Sequence, residues 1–214
     1  MLPKTDLNYM QYRLTMLVTA FLSSLLILSS FLFKKETLFL WLNVDMGAAA
    51  DAFFKYFTHL GDGLFWVLWL PLVVIKRGKN YLPLLLSAIV FSTLLTQISK
   101  QLIYPYEPRP LQAITDQSLV HYVTGVTVHS INSFPSGHTA TAFSFLFIWS
   151  LFSKSSRLIV LGLIASLLVA YSRIYLGQHF PLDVGAGMLV AIFTMLLSVS
   201  VQRRFDNTSK GYRK

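Results

Sequence analysis

Cysteine is absent from this 214-residue chain, which removes disulfides, thiolate metal ligands and every cysteine-nucleophile mechanism, and leaves the redox compartment unread. Charge is scarce as well. Only 13% of residues are charged and nine are acidic. They form no H-E-x-x-H, no D-x-D and no pair of adjacent carboxylates, so no magnesium or zinc clamp and no other cofactor is expected. What fills the chain instead is apolar: 54% of residues are hydrophobic and the mean hydropathy is +0.58, too high for a soluble domain with one core. The expectation is an integral membrane protein in a phospholipid bilayer.

A span needs about 20 residues, and the length allows about six plus loops in one compact bundle. The predicted fold is all-α: a single membrane-embedded domain over residues 1–214 with six transmembrane helices near 14–33, 63–75, 81–98, 139–152, 158–176 and 184–201. The first run is read as a retained span, because its apolar part is longer than a signal core and no small-residue cleavage site follows before Lys34 and Lys35. Between the first two spans, residues 48–60 carry Phe53, Phe54, Tyr56 and Phe57 among charges, which predicts an interfacial helix. Residues after 201 read as a solvated basic tail suited to anionic headgroups.

Six spans divide the 18 basic residues unequally. Twelve (Lys4, Arg13, Lys76, Arg77, Lys79, Lys154, Arg157, Arg203, Arg204, Lys210, Arg213 and Lys214) fall on one face and six on the other. The positive-inside rule then puts both termini in the cytoplasm and the polar loops outside, most naturally at a bacterial inner membrane. The net charge of +9 is therefore a topology signal and not a nucleic-acid footprint. No protein partner can be inferred.

The outer face collects Lys100 and Arg109, then Ser136-Gly137-His138, then Arg173, His179 and Asp183. Three cations at one depth repel each other unless an anion joins them, so the expected occupant is a phosphate or diphosphate. Ser136 and Gly137 open a helix whose N–H groups would face that anion. His179, oriented by Asp183 from the first turn of the next helix, is the candidate nucleophile. His138 is the candidate acid for the leaving oxygen and then the base for water. His59 reads as a surface residue without a carboxylate partner at helical spacing. His121 and His129, without nearby acids, read as loop residues.

At these positions the chain resembles the type 2 phosphatidic acid phosphatase family of membrane lipid phosphatases, whose site design is shared with vanadium haloperoxidases. The resemblance rests on Lys100 with Arg109-Pro110, on Pro135-Ser136-Gly137-His138, and on Ser172-Arg173 with His179 and Asp183. It implies a nucleophilic His179, an acid His138, an Asp183 partner, and phosphate contacts from Lys100, Arg109, Ser136, Gly137 and Arg173. Eight residues separate Lys100 from Arg109, two more than the family usually shows, and a bare helix end is the alternative role for Lys100. The function implied is metal-independent hydrolysis of a membrane lipid phosphate. Undecaprenyl diphosphate is the first choice by resemblance to small bacterial members; phosphatidylglycerophosphate, phosphatidic acid and lipid A phosphate stay open. A transporter or lipid-binding scaffold is the alternative of another class.

Overall fold

The computed structural model describes residues 7–211, with side chains described as far as residue 208. Lys4, Arg213 and Lys214 of the basic face lie outside the described residues, as does the side chain of Lys210. The described residues hold nine α-helices and no strand: α1 Tyr9–Phe33, α2 Lys35–Leu42, α3 Ala48–Phe57, α4 Phe65–Arg77, α5 Leu82–Ile98, α6 Pro110–Ala113, α7 Gly137–Phe152, α8 Ser156–Tyr175 and α9 Pro181–Gly211. Short 3-10 turns (Thr58–Gly61 among them) and a π-turn at Ser99–Ile103 join them.

Among the described residues, four helical stretches are long and apolar enough to cross a bilayer: Tyr9–Phe33, Lys79–Ile103, Ser156–Tyr175 and Pro181–Thr208. A fifth exists if Ala48–Gly61 and Phe65–Arg77, bent by 57° across their junction, act as one broken span. The expected six are not all recovered, and helix length explains the shortfall. At about 1.5 Å per residue, α4 reaches about 20 Å and α7 about 24 Å, against a hydrocarbon layer of about 30 Å. The expected interfacial helix corresponds to α3 and its 3-10 turn, which bury Phe54 and expose Tyr56. Residues 202–211, in the expected basic tail, continue α9 as helix, with Arg203 and Arg204 exposed.

The short α7 is the axis of the bundle. Thirteen of its residues are buried, and α1, α5, α8 and α9 enclose it, so it meets protein where a lone span would meet lipid. Phe143, Phe147, Ile148 and Leu151 are inaccessible at this axis. On the α4 side, Trp66 and Trp69 stack against Phe145 and Trp149. Close approach, rather than hydrophobic driving force, holds helices together in lipid. Ser23 of α1 donates to the Gly185 carbonyl of α9 at 2.7 Å. Gly187 comes so near α7 that a Cβ there would lie 2.5 Å from the Ser136 carbonyl oxygen.

The two ends of the bundle differ in chemistry. At one end the Asn8 N–H donates to the Leu151 carbonyl at 2.7 Å and Arg77 donates to the Phe152 carbonyl at 2.6 Å. A cation there complements the negative end of the α7 dipole. At the other end the C-termini of α5 and α8 meet the N-termini of α7 and α9, bringing all eight predicted site residues to that side. A methyl at Gly187 has to push α7 from α9, at about 1–3 kcal/mol. Gly187→Ala is therefore expected to lower Tm in detergent by several degrees, whereas Gly63→Ala, with nothing within 4 Å of its added Cβ, should leave Tm unchanged.

Candidate active site

Lys100 sits in the π-turn that ends α5, and residues 104–108 lead from that turn to Arg109. Such one-turn π segments recur at functional sites. The Lys100 ammonium donates to the Asn132 carbonyl at 3.0 Å, and Arg109 Nη2 donates to the same oxygen at 3.3 Å. Asn132 adopts φ 58°, a left-handed conformation that Asn tolerates better than most residues, and this turns its carbonyl toward both cations. Arg109 further donates from Nε to the Ile131 carbonyl at 2.9 Å and from Nη1 to the Gln178 carbonyl and side chain at 3.0 and 3.1 Å.

Ser136 is the N-cap of α7, and its hydroxyl accepts from Thr139. It is fully buried in that duty, while Gly137 and His138 on the first turn are partly open. The Ser136 N–H donates to the Asp183 carbonyl at 3.0 Å, so the second and third motifs are joined through backbone. At the end of α8, Arg173 Nη1 donates to Thr58 Oγ1 at 2.7 Å, while its buried Nε has no hydrogen-bond partner. The Gln178 and His179 N–H groups both close on the Arg173 carbonyl, at 2.9 and 3.0 Å.

Asp183 stands in the first turn of α9, and its Oδ2 accepts from the Phe180 N–H at 2.9 Å, half of a capping box. The same oxygen accepts from the Ser133 hydroxyl. His179 Nδ1 lies 3.4 Å from it, a contact without hydrogen-bond geometry. The carboxylate thus reaches back as the spacing predicts, but the Phe180 amide and Ser133 take its acceptor directions. His179 and Asp183 are each 2% exposed, and Arg109 and Arg173 each 7%. Charges buried this far need close compensation. Burial first, then Arg109, Arg173 and Lys100, push the His179 imidazole well below its ordinary range, so the ring is neutral at pH 7.

Beside these groups opens a cleft of about 230 Å³ lined by His138, Arg173, Gln178, His129, His59 and Lys55. Five residues of this neighbourhood escaped the sequence reading: Thr58, Asp62, Asn132, Ser133 and Gln178. Asp62 lies 2.7 Å from His138 Nε2 through one oxygen and 2.7 Å from His59 Nδ1 through the other. His59 is exposed as expected, yet it has a carboxylate partner three residues on, which corrects the reading of it as unpartnered. The i,i+3 spacing was the available signal. His121 also meets acids, Asp51 at 2.9 Å and Asp45 at 3.9 Å, and the three bring ligand atoms within 4.8 Å of one another. They come from segments too far apart in sequence to suggest it.

An apolar helical bundle carrying a buried histidine, a carboxylate and three cations at one end defines the class: a membrane phosphatase of lipid phosphates. The PAP2 superfamily profile matches residues 81–206, and the chain belongs to that superfamily. The chain is 28% identical over 166 residues to an undecaprenyl-diphosphatase of Sulfolobus acidocaldarius, covering 77% of each protein. The crystal structure of LpxE from Aquifex aeolicus superposes with a TM-score of 0.66 at 31% identity, over 76% of this chain and 93% of that one. A transmembrane PAP2-type phosphatidylglycerolphosphate phosphatase from Bacillus subtilis has the same fold, with a TM-score of 0.60 at 23% identity over 91% of this chain and 96% of its own.

Ser133→Ala withdraws a donor from a buried carboxylate, a loss of about 1–2 kcal/mol. Phosphate release is expected to fall roughly five- to thirtyfold without being abolished, measured as kcat with purified protein.

Proposed function

We propose that the protein hydrolyses undecaprenyl diphosphate or a closely related lipid phosphate through a phosphohistidine on His179. The observation that carries this reading is a neutral, buried imidazole set between Asp183 and three cations. With Nδ1 turned to Asp183, Nε2 is the nitrogen left to attack phosphorus. Lys100, Arg109, Arg173 and the N–H groups opening α7 would surround the transferring oxygens, and phosphoryl transfer asks chiefly for such placement of charge. His138 donates a proton to the leaving oxygen, then takes one from the water that cleaves the phosphohistidine.

The similarity to an undecaprenyl-diphosphatase supports the substrate choice, and the open cleft beside His138 leaves room for a diphosphate. Phosphatidylglycerophosphate, phosphatidic acid and lipid A phosphate are the alternatives. The excess of basic residues opposite the site supports an active site on the outer side of a bacterial inner membrane, with the basic end in the cytoplasm. A cysteine introduced at Gln117 should then react with an impermeant reagent in intact cells, and one at Ser155 should not; the reverse pattern overturns the orientation.

Phosphate release from these four lipids in one detergent tests the substrate. His179→Ala should abolish turnover on the preferred lipid while the protein stays folded, and undiminished activity would remove the nucleophile assignment. The cations would carry the transition-state charge, so excess EDTA should leave the rate nearly unchanged and orthovanadate should inhibit. A rate lost to EDTA and restored by magnesium overturns metal independence.

The pH dependence follows from the same charges. A histidine with a depressed pKa stays unprotonated, hence nucleophilic, until the pH falls below that value. The acid limb of kcat/KM is expected well below the 6.5 of an ordinary imidazole. Arg109→Met removes the largest charge contribution to the depression, so it should move that limb upward as well as weaken binding.

A further inference from the structure

Gly61-Asp62-Gly63, the elbow between α3 and α4, is not among the residues that define the three motifs, yet it and the turn before it touch two of them. Thr58 in the turn before it holds Arg173 at 2.7 Å. Gly61 lies so close to the first turn of α7 that a Cβ there would stand 2.9 Å from the His138 carbonyl oxygen and 2.7 Å from Val169 Cγ1. Only glycine lets the elbow approach so far, and the approach delivers the Asp62 carboxylate to His138 Nε2 at 2.7 Å. The second carboxylate oxygen is held by His59 Nδ1 at 2.7 Å.

We infer that Asp62 is a positioning residue for the acid step: it takes the Nε2–H of His138, which leaves Nδ1 as the nitrogen that faces the leaving oxygen. The inference rests on the reading of His138 as the acid. In the first step the His179 nitrogen bonds to phosphorus, the bond from phosphorus to the leaving oxygen breaks, and the Nδ1 proton of the His138 imidazolium passes to that oxygen. In the second, Nδ1 takes a proton from water as the water oxygen displaces His179 from phosphorus. His138 keeps its Nε2–H on Asp62 throughout, and the proton count closes over the cycle.

The carboxylate is needed because burial first, and then the other groups facing His138, oppose its charge and hold its pKa below the ordinary imidazole value. Arg173 stands on α8, Lys55 on α3, His59 on the turn before the elbow, and His129 and His179 on the two loops. Arg173 and Lys55 are cations, and the histidines add charge when protonated. An anion at 2.7 Å favours the imidazolium against this field. Asp62 bonded to two imidazoles resembles the third member of a triad, turned toward the acid rather than the nucleophile.

The size of the effect should depend on the leaving group. A lipid monophosphate releases an alkoxide, which must be protonated as it leaves; a lipid diphosphate releases a phosphate monoester, which is stable as an anion. Asp62→Asn keeps the side-chain shape and removes the charge. With phosphatidic acid and with farnesyl diphosphate as probes, we expect kcat to fall ten- to a hundredfold on the monophosphate and several-fold less on the diphosphate. The basic limb of the kcat–pH profile should move to lower pH, and Asp62→Glu should recover part of the loss. Equal losses on both lipids with an unmoved basic limb, or full activity on the monophosphate, would overturn the inference. His138→Gln separates the two levels: if it leaves phosphatidic acid hydrolysis intact, the acid assignment itself fails, whereas loss with His138→Gln beside an unaffected Asp62→Asn refutes only the role of Asp62. Tm and vanadate binding measured for each variant identify any that has merely lost its fold.

Discussion

Holding three cations together in a place with little water is the constraint on which the rest of the structure depends. Lys100 and Arg109 share the Asn132 carbonyl, Arg109 is braced by Gln178, and Arg173 is tied to Thr58, so none depends on a bound anion for its position. Two of these anchors are main-chain or amide oxygens and one is a hydroxyl. A full carboxylate at the same positions would have neutralised the cations. The two carboxylates that are present lie beside the histidines: Asp62 meets His138 at 2.7 Å, and Asp183, held by Ser133 and the Phe180 amide, stands 3.4 Å from His179. Positive charge is thereby left unneutralised by carboxylates, and the nearby negative charge lies beside the two imidazoles.

The architecture follows from that division. Four helix ends converge on the site, and the two that begin there, α7 and α9, are joined by the Ser136 amide on the Asp183 carbonyl. Gly187 allows the helices to run close enough for that bond to form. The loop of residues 104–136 then supplies Arg109, the carbonyls that hold it and Lys100, and the Ser133 hydroxyl on Asp183. The site is hydrogen-bonded where charge is concentrated and opens on the cleft side, near His129 and His59.

Much of this was legible in the sequence, and the residues that were missed share a cause. Arg173, His179 and Asp183 lie within 11 residues, so their proximity could be read along the chain, and the expected topology brought His138 to them. Asp62 was missed because its partner His138 lies 76 positions away, and the elbow that delivers it looks like an ordinary glycine-flanked turn. Asn132 was invisible for another reason: it acts through its carbonyl, which every residue possesses. The span count differed because apolar runs of 13 or 14 residues read alike whether they face lipid or, as α7 does, are encased by other helices. Ser136 reads as a phosphate contact from its motif, while its hydroxyl is occupied in capping α7.

The enclosure of α7 has a further consequence. Its 16 residues run about 24 Å from His138 at one end to the carbonyls held by Arg77 and Asn8 at the other. Because protein surrounds this helix on nearly every side, that length does not stretch or tilt with the lipid around it. The bundle therefore carries an internal ruler. The depth at which phosphorus can be met is set by one buried helix, and in a thicker bilayer it is the lipid headgroup that has to sink toward the site, the surrounding leaflet thinning locally to let it do so.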